Sequence, residues 1–359
     1  MRLLIFTQKV DKNDSVLGFF HTWIKEFAKH CESVKVICLE EGEHDFKSNA
    51  KPRSELRSTT GVEVFSLGKE LGLSYFSYLK NLYKYLHKLN GSYDKVFVHM
   101  NPIYIVLCGV YFKMKGIPIY LWYVHRSVDF KLRVATLFTS KIFSSAKESF
   151  KIKTKKVVYL GHGIDINALP NTSHLYIEGV LRIAYIGRIT PIKNLETLID
   201  TGYQLKKKNL NIQIILYGDC VTESDKNYKM ELEKIIKEKD LKNNVFFAGN
   251  VLHKDFPTLL SNCHITVNMS PSGGMDKAVL ESILLGIPTF ISNIIFSELF
   301  GEYTNLFLYR YNDSLDLTKK IYDFINMANN KFILTTLDSR VRKDFSLDHL
   351  IQKIISLMN

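Results

Sequence analysis

The chain has 359 residues, of which 46% are hydrophobic and 23% are charged, and this composition excludes a collagen-like or intrinsically disordered protein. Its size indicates two domains of roughly 150–180 residues each. Lys and Arg exceed Asp and Glu by 48 − 36 = 12, so the formal net charge is +12. Such a charge predicts an anionic partner: a nucleotide, a nucleic acid or an anionic membrane.

Cysteine usage and hydropathy exclude further classes of protein. The five cysteines are odd in number and form no C-x-x-C pair, which argues against a disulfide framework or a cysteine zinc site and favours a reducing compartment. The first residues, MRLLIFTQKVDKND, become polar too early for a signal peptide. The most apolar stretch, 103–124, is interrupted by Lys113, Lys115, Gly116 and Pro118, so it is too short to span a membrane. We therefore expect a cytoplasmic protein.

Short runs of β-branched and aromatic residues alternate with segments of helical length along the whole chain. The runs lie at 2–7, 34–40, 62–67, 95–100, 117–125, 141–146 and 157–161, and then at 181–187, 212–218, 245–249, 264–270, 288–292 and 306–310. Nearly continuous apolarity at strand length is typical of parallel strands that are covered on both faces. The alternation with helices predicts two doubly wound α/β domains.

A polar, turn-rich segment at 167–178 marks the expected domain boundary. We expect a first domain over 1–168 and a second over 178–338, with a C-terminal helix within about 340–359 that packs back on the first. The apolar periodicity places this last helix at about 346–358. Ligands of open parallel sheets bind beyond the carboxyl ends of the strands. We therefore expect ligand-binding residues just after the strand ends at Thr7, Met100, His125, Gly187, Gly218, Gly249 and Ser270.

The segment IAYIGRITPIKNLETLI (183–199) combines a strand end with two cations and a helix start. The strand ends at Gly187, the loop carries Arg188 and Lys193, and a helix follows from about Asn194, a good N-cap residue. Backbone amides, the helix dipole and two side-chain cations favour an anion of diphosphate size. The alternative for such a pattern alone is a solvated turn with two surface cations.

A second segment, NMSPSGGMDKAVLESILLGIPTF (268–290), has a glycine-rich loop ahead of a helix predicted over about 277–285. Gly273 and Gly274 would let the backbone approach a ligand closely. Glu281 lies on an otherwise apolar helix face, where a carboxylate needs partners and ribose hydroxyls could donate to it. The alternative is a glutamate that pairs with a Lys or Arg.

Together, in this order and spacing, the segments resemble retaining glycosyltransferase family 4, the glycosyl transferases group 1, in members of the bacterial surface-glycan type. The resemblance covers nearly the whole chain and implies the GT-B fold, in which two Rossmann-like domains face each other across a cleft. GRITPIKN resembles the family's G-R-x-x-x-x-K-G element, VFFAGNV its V-x-F-x-G-x-V, and AVLESILLGIPTFIS its x-x-x-E-A-x-x-x-G-x-P-V-x-x run. Weaker matches are Gly18 before a helix, His99, His125 and the segment VVYLGHGIDIN.

One position departs from the family pattern. The family usually has a glutamate eight residues before the one at Glu281, and here that position is Gly273. The loop offers Asp276 and Lys277 instead, and G-x-x-D-K-x-V-L-E occurs as a variant among bacterial members. Because this position differs from the family pattern, the resemblance does not define which residues bind the sugar hydroxyls or which donor sugar is used.

The resemblance implies transfer of a sugar from a nucleoside diphosphate to a hydroxyl, with retained anomeric configuration and no covalent enzyme intermediate. Arg188 and Lys193 would stabilise the leaving diphosphate, and His125 would hydrogen-bond the donor sugar or the acceptor. The implied donor-binding residues are Gly18, Gly187, Asn250, Val251, Gly273, Gly274, Met275, Asp276, Lys277 and Glu281. No metal ion and no cofactor is expected.

Two basic segments of the first domain suggest where the acceptor is held. Residues 131–156 contain eight Lys or Arg and one acid, and the amphipathic segment 73–89 carries lysines beside aromatic residues. A basic amphipathic helix with interfacial aromatics can lie on an anionic membrane, so we expect peripheral contact with the inner face of the cytoplasmic membrane and a lipid-linked glycan acceptor in polysaccharide synthesis. The alternative for 73–89 is a helix that packs its leucines inward.

Four other functions remain open or are disfavoured. A nucleotide-sugar epimerase or a synthase on a small soluble acceptor would share the fold, and a degenerate, non-catalytic scaffold that binds glycan or nucleotide would share the motifs. Nucleic-acid binding lacks any recognisable motif. A nicotinamide-dependent oxidoreductase is disfavoured because neither first strand–helix turn contains G-x-G-x-x-G.

Overall fold

The computed structural model describes residues 1–14, 16–48, 61–125, 127–166, 169, 178–251, 255–272 and 274–359. It divides the chain into two compact units, one of Met1–Gly163 with Leu347–Asn359 and one of Ile164–Ser346. The chain therefore changes unit after Gly163 and after Ser346, and the sequence-based ranges 1–168 and 178–338 differ from these bounds. Most of the expected boundary segment, 167–178, lies outside the described residues.

Among the described residues of the first unit, eight parallel strands form one sheet in the order β3-β4-β2-β1-β5-β6-β7-β8. The strands are β1 (Arg2–Val10), β2 (Ser33–Glu41), β3 (Lys47–Ser48), β4 (Val62–Ser66), β5 (Lys95–His99), β6 (Ile119–Trp122), β7 (Lys141–Ser144) and β8 (Val157–Tyr159). All seven runs predicted in this half form strands. Strand β3 has only two residues and shows no hydrophobic period, so sequence patterns do not predict it.

Helices cover both faces of this sheet. The helices are α1 (Phe19–His30), α2 (Tyr75–Lys88), α3 (Ile103–Met114), α4 (Phe130–Phe138) and, from the end of the chain, α13 (Leu347–Met358). Helices α1 and α13 pack into one hydrophobic cluster, while α2, α3 and α4 pack into a separate one. The leucines Leu82, Leu86 and Leu89 are buried in the second cluster, so the inward-packing alternative for 73–89 is correct for that face.

The C-terminal helix α13 is bound to the first sheet through its last carbonyl groups. Lys95 Nζ donates to Met358 O at 2.5 Å, Tyr120 OH donates to the same oxygen at 2.8 Å, and Lys141 Nζ donates to Leu357 O at 2.5 Å. The last carbonyls of a helix have no partner within the helix, so these side chains supply the missing donors.

The last helix expected from the periodicity at about 346–358 is confirmed as α13, whereas the wider range of about 340–359 also takes in the end of another helix. Two helices occupy this region, α12 (Asn330–Phe345) in the second unit and α13 in the first. Between them Ser346 is extended, with φ −66° and ψ 148°, and it forms a parallel bridge with Ile164.

Among the described residues of the second unit, five parallel strands form a sheet in the order β11-β10-β9-β12-β13. The strands are β9 (Val180–Ile186), β10 (Asn211–Tyr217), β11 (Val245–Gly249), β12 (Ile265–Asn268) and β13 (Thr289–Ile291). The helices besides α12 are α5 (Leu195–Lys207), α6 (Glu223–Glu238), α7 (Phe256–Leu260), α8 (Lys277–Leu284), α9 (Ser297–Phe300), α10 (Thr304–Phe307) and α11 (Ser314–Ile325). The predicted class, two doubly wound parallel α/β domains, is confirmed.

The strand predicted at 306–310 is wrong. Thr304–Phe307 is instead a short helix, α10, and only a single bridge joins Leu308 to Ile291. The Thr304 hydroxyl donates to the carbonyl oxygens of Ser297 and Gly301, which favours a helical turn at this point. The run is apolar because Phe307 and Tyr309 are buried in the core, not because it belongs to the sheet.

The strand order fixes where a ligand of the second unit should bind. The first strand of this unit, β9, is central, and the chain moves from it to β10 on one side and later to β12 on the other. Open α/β sheets bind ligands beyond the carboxyl ends of the strands at such a reversal. The residues that follow β9 and β12 therefore define the candidate site.

None of the described helices is long and apolar enough to cross a membrane.

Candidate active site

The first part of the site is the end of β9. Gly187 has φ +152°, and a Cβ built on it would lie 2.7 Å from the hydroxyl oxygen of Tyr185. That buried hydroxyl donates to the carbonyl oxygen of Arg188 at 2.8 Å. Glycine at 187 and the tyrosine bond thus fix the backbone from which the exposed side chain of Arg188 extends.

Lys193 connects the two strand ends of the reversal point. It ends a short 3₁₀ turn, Pro191–Lys193, and its Nζ donates to the hydroxyl oxygen of Ser270, which follows β12. Burial lowers the pKa of Lys193, Arg188 lowers it further, and the carboxylate of Asp276 opposes both effects. A partly buried ammonium with another cation nearby is costly, so an anion bound here would be favoured.

The N-terminus of α5 differs from the expectation. Asn194 stands at the N-cap position, but its side chain accepts no cap hydrogen bond because the residue is left-handed, with φ 45° and ψ 59°. The side-chain nitrogen Nδ2 of Asn194 instead donates to Thr197 Oγ1 at 2.9 Å and to Asn312 Oδ1. The amide of Leu195 donates to the Tyr228 hydroxyl at 2.7 Å. Because the backbone amide of Leu195 already has a partner, it is not available to an anion. The predicted anion site would therefore depend more on the side chains of Arg188 and Lys193.

The N-terminus of α8 already holds a carboxylate from its own chain. Asp276 is the N-cap residue, and its Oδ1 accepts from the amide of Ala278 at 3.1 Å. Its Oδ2 accepts from Asn268 Nδ2 at 3.0 Å. The backbone amide of Ala278, the second residue of α8, is therefore bonded to Asp276 and is not available to an anionic ligand. Gly273 lies outside the described residues.

The remaining residues of this segment line the same helix start. Gly274 and Met275 are partly buried, and Met275 packs against the main core of the unit. Glu281 is buried within α8, one turn after Lys277. Burial lowers the pKa of Lys277, and Glu281 opposes that effect, so the two side chains interact electrostatically. The alternative in which Glu281 serves as a partner for lysine thus has support, and ribose binding stays a prediction.

The ends of β10 and β11 adjoin the end of β9. Gly218 N donates to Gly249 O at 2.8 Å, and Ile189 N donates to Asp219 O at 3.1 Å. Beyond Gly249, Asn250 is exposed and Val251 is half-buried against a smaller hydrophobic cluster. β11 is at the edge of the sheet, so these two residues lie farther from the reversal point than Arg188. Their contact with the base stays a prediction.

In the first unit the candidate residues lie at the ends of β1, β5 and β6. Gly18 precedes α1, and a Cβ on it would come 2.5 Å from Asp14 O, so glycine is required there by close backbone packing. His99, after β5, is buried and its ring stacks on Phe20 with centroids 3.8 Å apart. Its position fits a packing role.

His125 follows β6 and is exposed. The amide of Ser127 donates to His125 Nδ1 at 3.2 Å, and the Ser127 hydroxyl lies 2.7 Å from the same nitrogen. A nitrogen that accepts from an amide is unprotonated, so in the neutral ring Nε2 carries the hydrogen. His125 can therefore donate a hydrogen bond outward from Nε2. Ser127, which orients the ring, was missed because a serine two residues after a strand end has no distinctive pattern.

Sequence reasoning missed Asn268 as well and named Ser270 only as a strand end. Asn268 is 5% exposed and is the last residue of a fully buried strand. A polar residue in the run HITVNMS was the available signal, because a buried amide must find partners.

Comparison with known proteins agrees with this geometry. Residues 173–333 match the family model described as glycosyl transferases group 1. The poly(ribitol-phosphate) alpha-N-acetylglucosaminyltransferase of Staphylococcus aureus (strain COL) is 22% identical over 183 residues, a match that covers 49% of this chain and 35% of that protein. The chain thus spans about a third of the length of this relative. The residues that match the family model all lie within the second unit, Ile164–Ser346.

Solved structures extend the similarity over both units. Anabaena HepE in complex with UDP superimposes with a TM-score of 0.68 and 18% identity, covering 100% of this chain and 99% of that one. A Rickettsia africae glycosyltransferase gives a TM-score of 0.68 and 16% identity, covering 99% and 98%. At such identities the likeness concerns the fold, which is that of the GT-B glycosyltransferases.

Proposed function

We propose that this protein transfers a sugar, with retention of anomeric configuration, from a nucleoside diphosphate to the hydroxyl of a glycan or lipid-linked acceptor. The observation that carries the proposal is the cationic corner at the strand reversal of the second unit. There Lys193 donates to Ser270, and Arg188 is close enough to lower the pKa of that lysine. This corner lies within the segment that matches glycosyl transferases group 1.

The chemistry needs positive charge where the sugar–phosphate bond breaks. As the bond from the anomeric carbon to the diphosphate oxygen lengthens, negative charge grows on the leaving phosphate. Arg188 and Lys193 would stabilise that charge, and removal of one such preorganised donor typically costs ~10²–10³ in rate. The leaving phosphate oxygen would accept the acceptor's proton on the same face. These steps require neither a metal ion nor a side-chain base.

The donor side of the proposal draws on the similar structures. HepE was solved with UDP and with UDP-glucose, and a uridine nucleotide is therefore the first donor to test on this chain. Glu281 would receive the ribose hydroxyls, with Asn250 and Val251 near the base. His125 would donate from Nε2 to the sugar or the acceptor.

A thermal-shift panel of UDP, GDP, ADP and CMP, with NAD as control, tests the proposal with and without magnesium. A ligand present at 100 times its Kd should add about 2.7 kcal/mol to the free energy of unfolding. We expect one nucleoside diphosphate to raise Tm independently of magnesium. No shift from any diphosphate would contradict the proposal and favour the non-catalytic scaffold. Turnover of a nucleotide sugar with a small soluble acceptor, and none with a glycan or lipid-linked acceptor, would favour the synthase alternative.

We further propose that the first unit binds peripherally to the anionic inner face of the cytoplasmic membrane. The observation is an exposed aromatic patch on the first turn of α2, with Tyr75 60% and Phe76 83% exposed, while the leucines of the same helix are buried. Of the eight basic residues in 131–156, Lys141 and Lys156 donate to helix carbonyls, and the other six remain available: Lys131, Arg133, Lys147, Lys151, Lys153 and Lys155. Each basic residue near such a surface is worth about 1 kcal/mol.

Flotation with liposomes at low and high salt tests this contact. We expect recovery with vesicles that contain anionic lipid, loss of recovery in high salt, and weaker recovery for Phe76→Ser. The control is Phe332→Ser, which alters a phenylalanine of similar exposure in the second unit, on α12. Equal recovery with neutral and anionic vesicles would contradict the electrostatic contact.

A further inference from the structure

The amide side chain of Asn268 joins the two ends of the loop that separates β12 from α8. Its Oδ1 accepts from the amide of Ser270 at 3.2 Å, and its Nδ2 donates to Asp276 Oδ2 at 3.0 Å. Ser270 opens the loop and Asp276 closes it, so one buried side chain sets the distance between the loop's two ends.

Asn268 is itself held firmly. It is the last residue of β12, which lies between β9 and β13, and only 5% of its surface is exposed. The hydroxyl of the buried Tyr309 donates to the carbonyl oxygen of Asn268 at 3.3 Å. A buried amide that lost its partners would incur the full cost of desolvation, so its orientation is strongly determined.

Both residues that Asn268 binds also act on Lys193. Lys193 Nζ donates to Ser270 Oγ, and the carboxylate of Asp276 opposes the lowering of the lysine's pKa. Asp276 also caps α8 through the amide of Ala278. Any shift of Asn268 would therefore move the hydroxyl and the carboxylate beside the lysine together with the start of α8.

We infer that Asn268 is a positioning residue of the donor site, which fixes the loop between β12 and α8 and thereby holds Ser270 and Asp276 around the amine of Lys193. The inference rests on the proposed function for its ligand, a nucleoside diphosphate. Its structural part, the fixing of the loop by one amide, can be measured without any ligand.

The decisive variant is Asn268→Asp, which keeps size and acceptor but replaces the donor to Asp276 by a second carboxylate. Repulsion between the two carboxylates should release the far end of the loop. Combining Asn268→Asp with Asp276→Asn exchanges donor and acceptor, so the hydrogen bond, the net charge and a cap for Ala278 are regained. The matched control is Asn244→Ala, which removes a bond from Asn244 Nδ2 to Ile212 O at 2.8 Å, at the opposite ends of the strands.

Two readouts separate this inference from the proposed function. In hydrogen–deuterium exchange without ligand, we expect faster exchange at Ser270 and Ala278 in Asn268→Asp, with wild-type rates in the exchanged pair and in Asn244→Ala. In calorimetric titration with UDP, we expect about tenfold weaker binding for Asn268→Asp and recovery in the exchanged pair, as for the loss and return of one buried hydrogen bond. If Asn268→Asp fails to fold, Asp276→Ala breaks the same bond from the less buried side.

The outcomes are distinct. Unchanged exchange at Ser270 and Ala278 in Asn268→Asp, or no recovery in the exchanged pair, would overturn the inference. Faster exchange together with UDP binding equal to wild type would overturn it too, because the loop would then not hold the donor. If the unmodified protein binds none of the diphosphates, the proposed function fails, and the exchange data alone decide whether Asn268 fixes the loop.

Discussion

Gly218 and Gly187 lie so close that no side chain fits between their strands. A Cβ built on Gly218 would stand 1.8 Å from the carbonyl oxygen of Gly187, and Gly218 has φ +145°. The two residues end β10 and β9, and Gly187 N donates to Tyr217 O at 2.9 Å. The end of β10 therefore packs directly against the backbone that precedes Arg188, at the edge of the candidate site.

We therefore predict that Gly218→Ala destabilises the protein by about 3 kcal/mol, since a collision with backbone adds to the cost of the left-handed conformation. Urea unfolding measures the change. Gly179→Ala is the matched control: Gly179 also has a positive φ, +91°, but no atom lies within 4 Å of its added Cβ, so only about 1 kcal/mol is expected. Equal losses in the two variants would show that the collision is relieved at little cost.

The bond from Tyr120 to the end of α13 gives a second prediction. Tyr120 is buried and its hydroxyl donates to Met358 O at 2.8 Å, so Tyr120→Phe leaves that carbonyl with one donor fewer. We expect a loss of about 1 kcal/mol in the free energy of unfolding. Tyr159→Phe, at an exposed tyrosine of β8, should leave stability unchanged. A Tyr120→Phe protein as stable as wild type would mean that the two lysines alone hold the helix end.

His21 makes the first unit sensitive to acid. Its ring is buried against Phe46, with centroids 4.5 Å apart, and burial together with Lys25 lowers the pKa of His21 to about 4, although Asp45 opposes this. Further weak lowering comes from His44 and Lys12. Between pH 6.5 and 4 the unfolded chain binds a proton that the folded protein excludes, so stability must fall as the pH falls through this interval.

Replacing His21 should flatten that dependence. We predict that His21→Phe, which keeps an aromatic ring beside Phe46, loses less stability than wild type between pH 6.5 and 4, with a difference in slope of about 1 kcal/mol per pH unit. Chemical unfolding at several pH values provides the measurement. His87→Asn, at an exposed histidine of α2, serves as the control and should keep the wild-type slope. Parallel slopes for His21→Phe and wild type would refute the assignment.

Much of the fold could be predicted because parallel strands buried on both faces leave a strong signal in the sequence. The predictions failed where tertiary contacts decide the outcome. The apolar run 306–310 belongs to the core without forming a strand, and the two-residue strand β3 has no pattern of its own. Periodicity reports which residues are buried, and it does not report which hydrogen bonds the backbone makes.

The same limit applies to the candidate site. Arg188 and Lys193 could be found because cations after a strand end have a local pattern. Asn268 acts through Asp276, eight residues away, and Ser270 through Lys193, 77 residues away, and only the folded sheet brings these partners together. The caps also differed: Asn194 and Asp276 both stand before helices, but only Asp276 caps its helix through the side chain.

Calorimetric titration of a nucleoside diphosphate into wild type and Arg188→Ala tests the central claim most directly. Arg188 is exposed, so its loss should leave folding intact. The diphosphate that gives the largest thermal shift is the ligand, and Lys234→Ala, at an exposed lysine of α6, is the control for net charge. We predict roughly 10- to 100-fold weaker binding for Arg188→Ala, the loss expected for a charge-assisted hydrogen bond, and an unchanged Kd for Lys234→Ala. Equal affinity in wild type and Arg188→Ala would contradict a diphosphate site at this corner of the sheet.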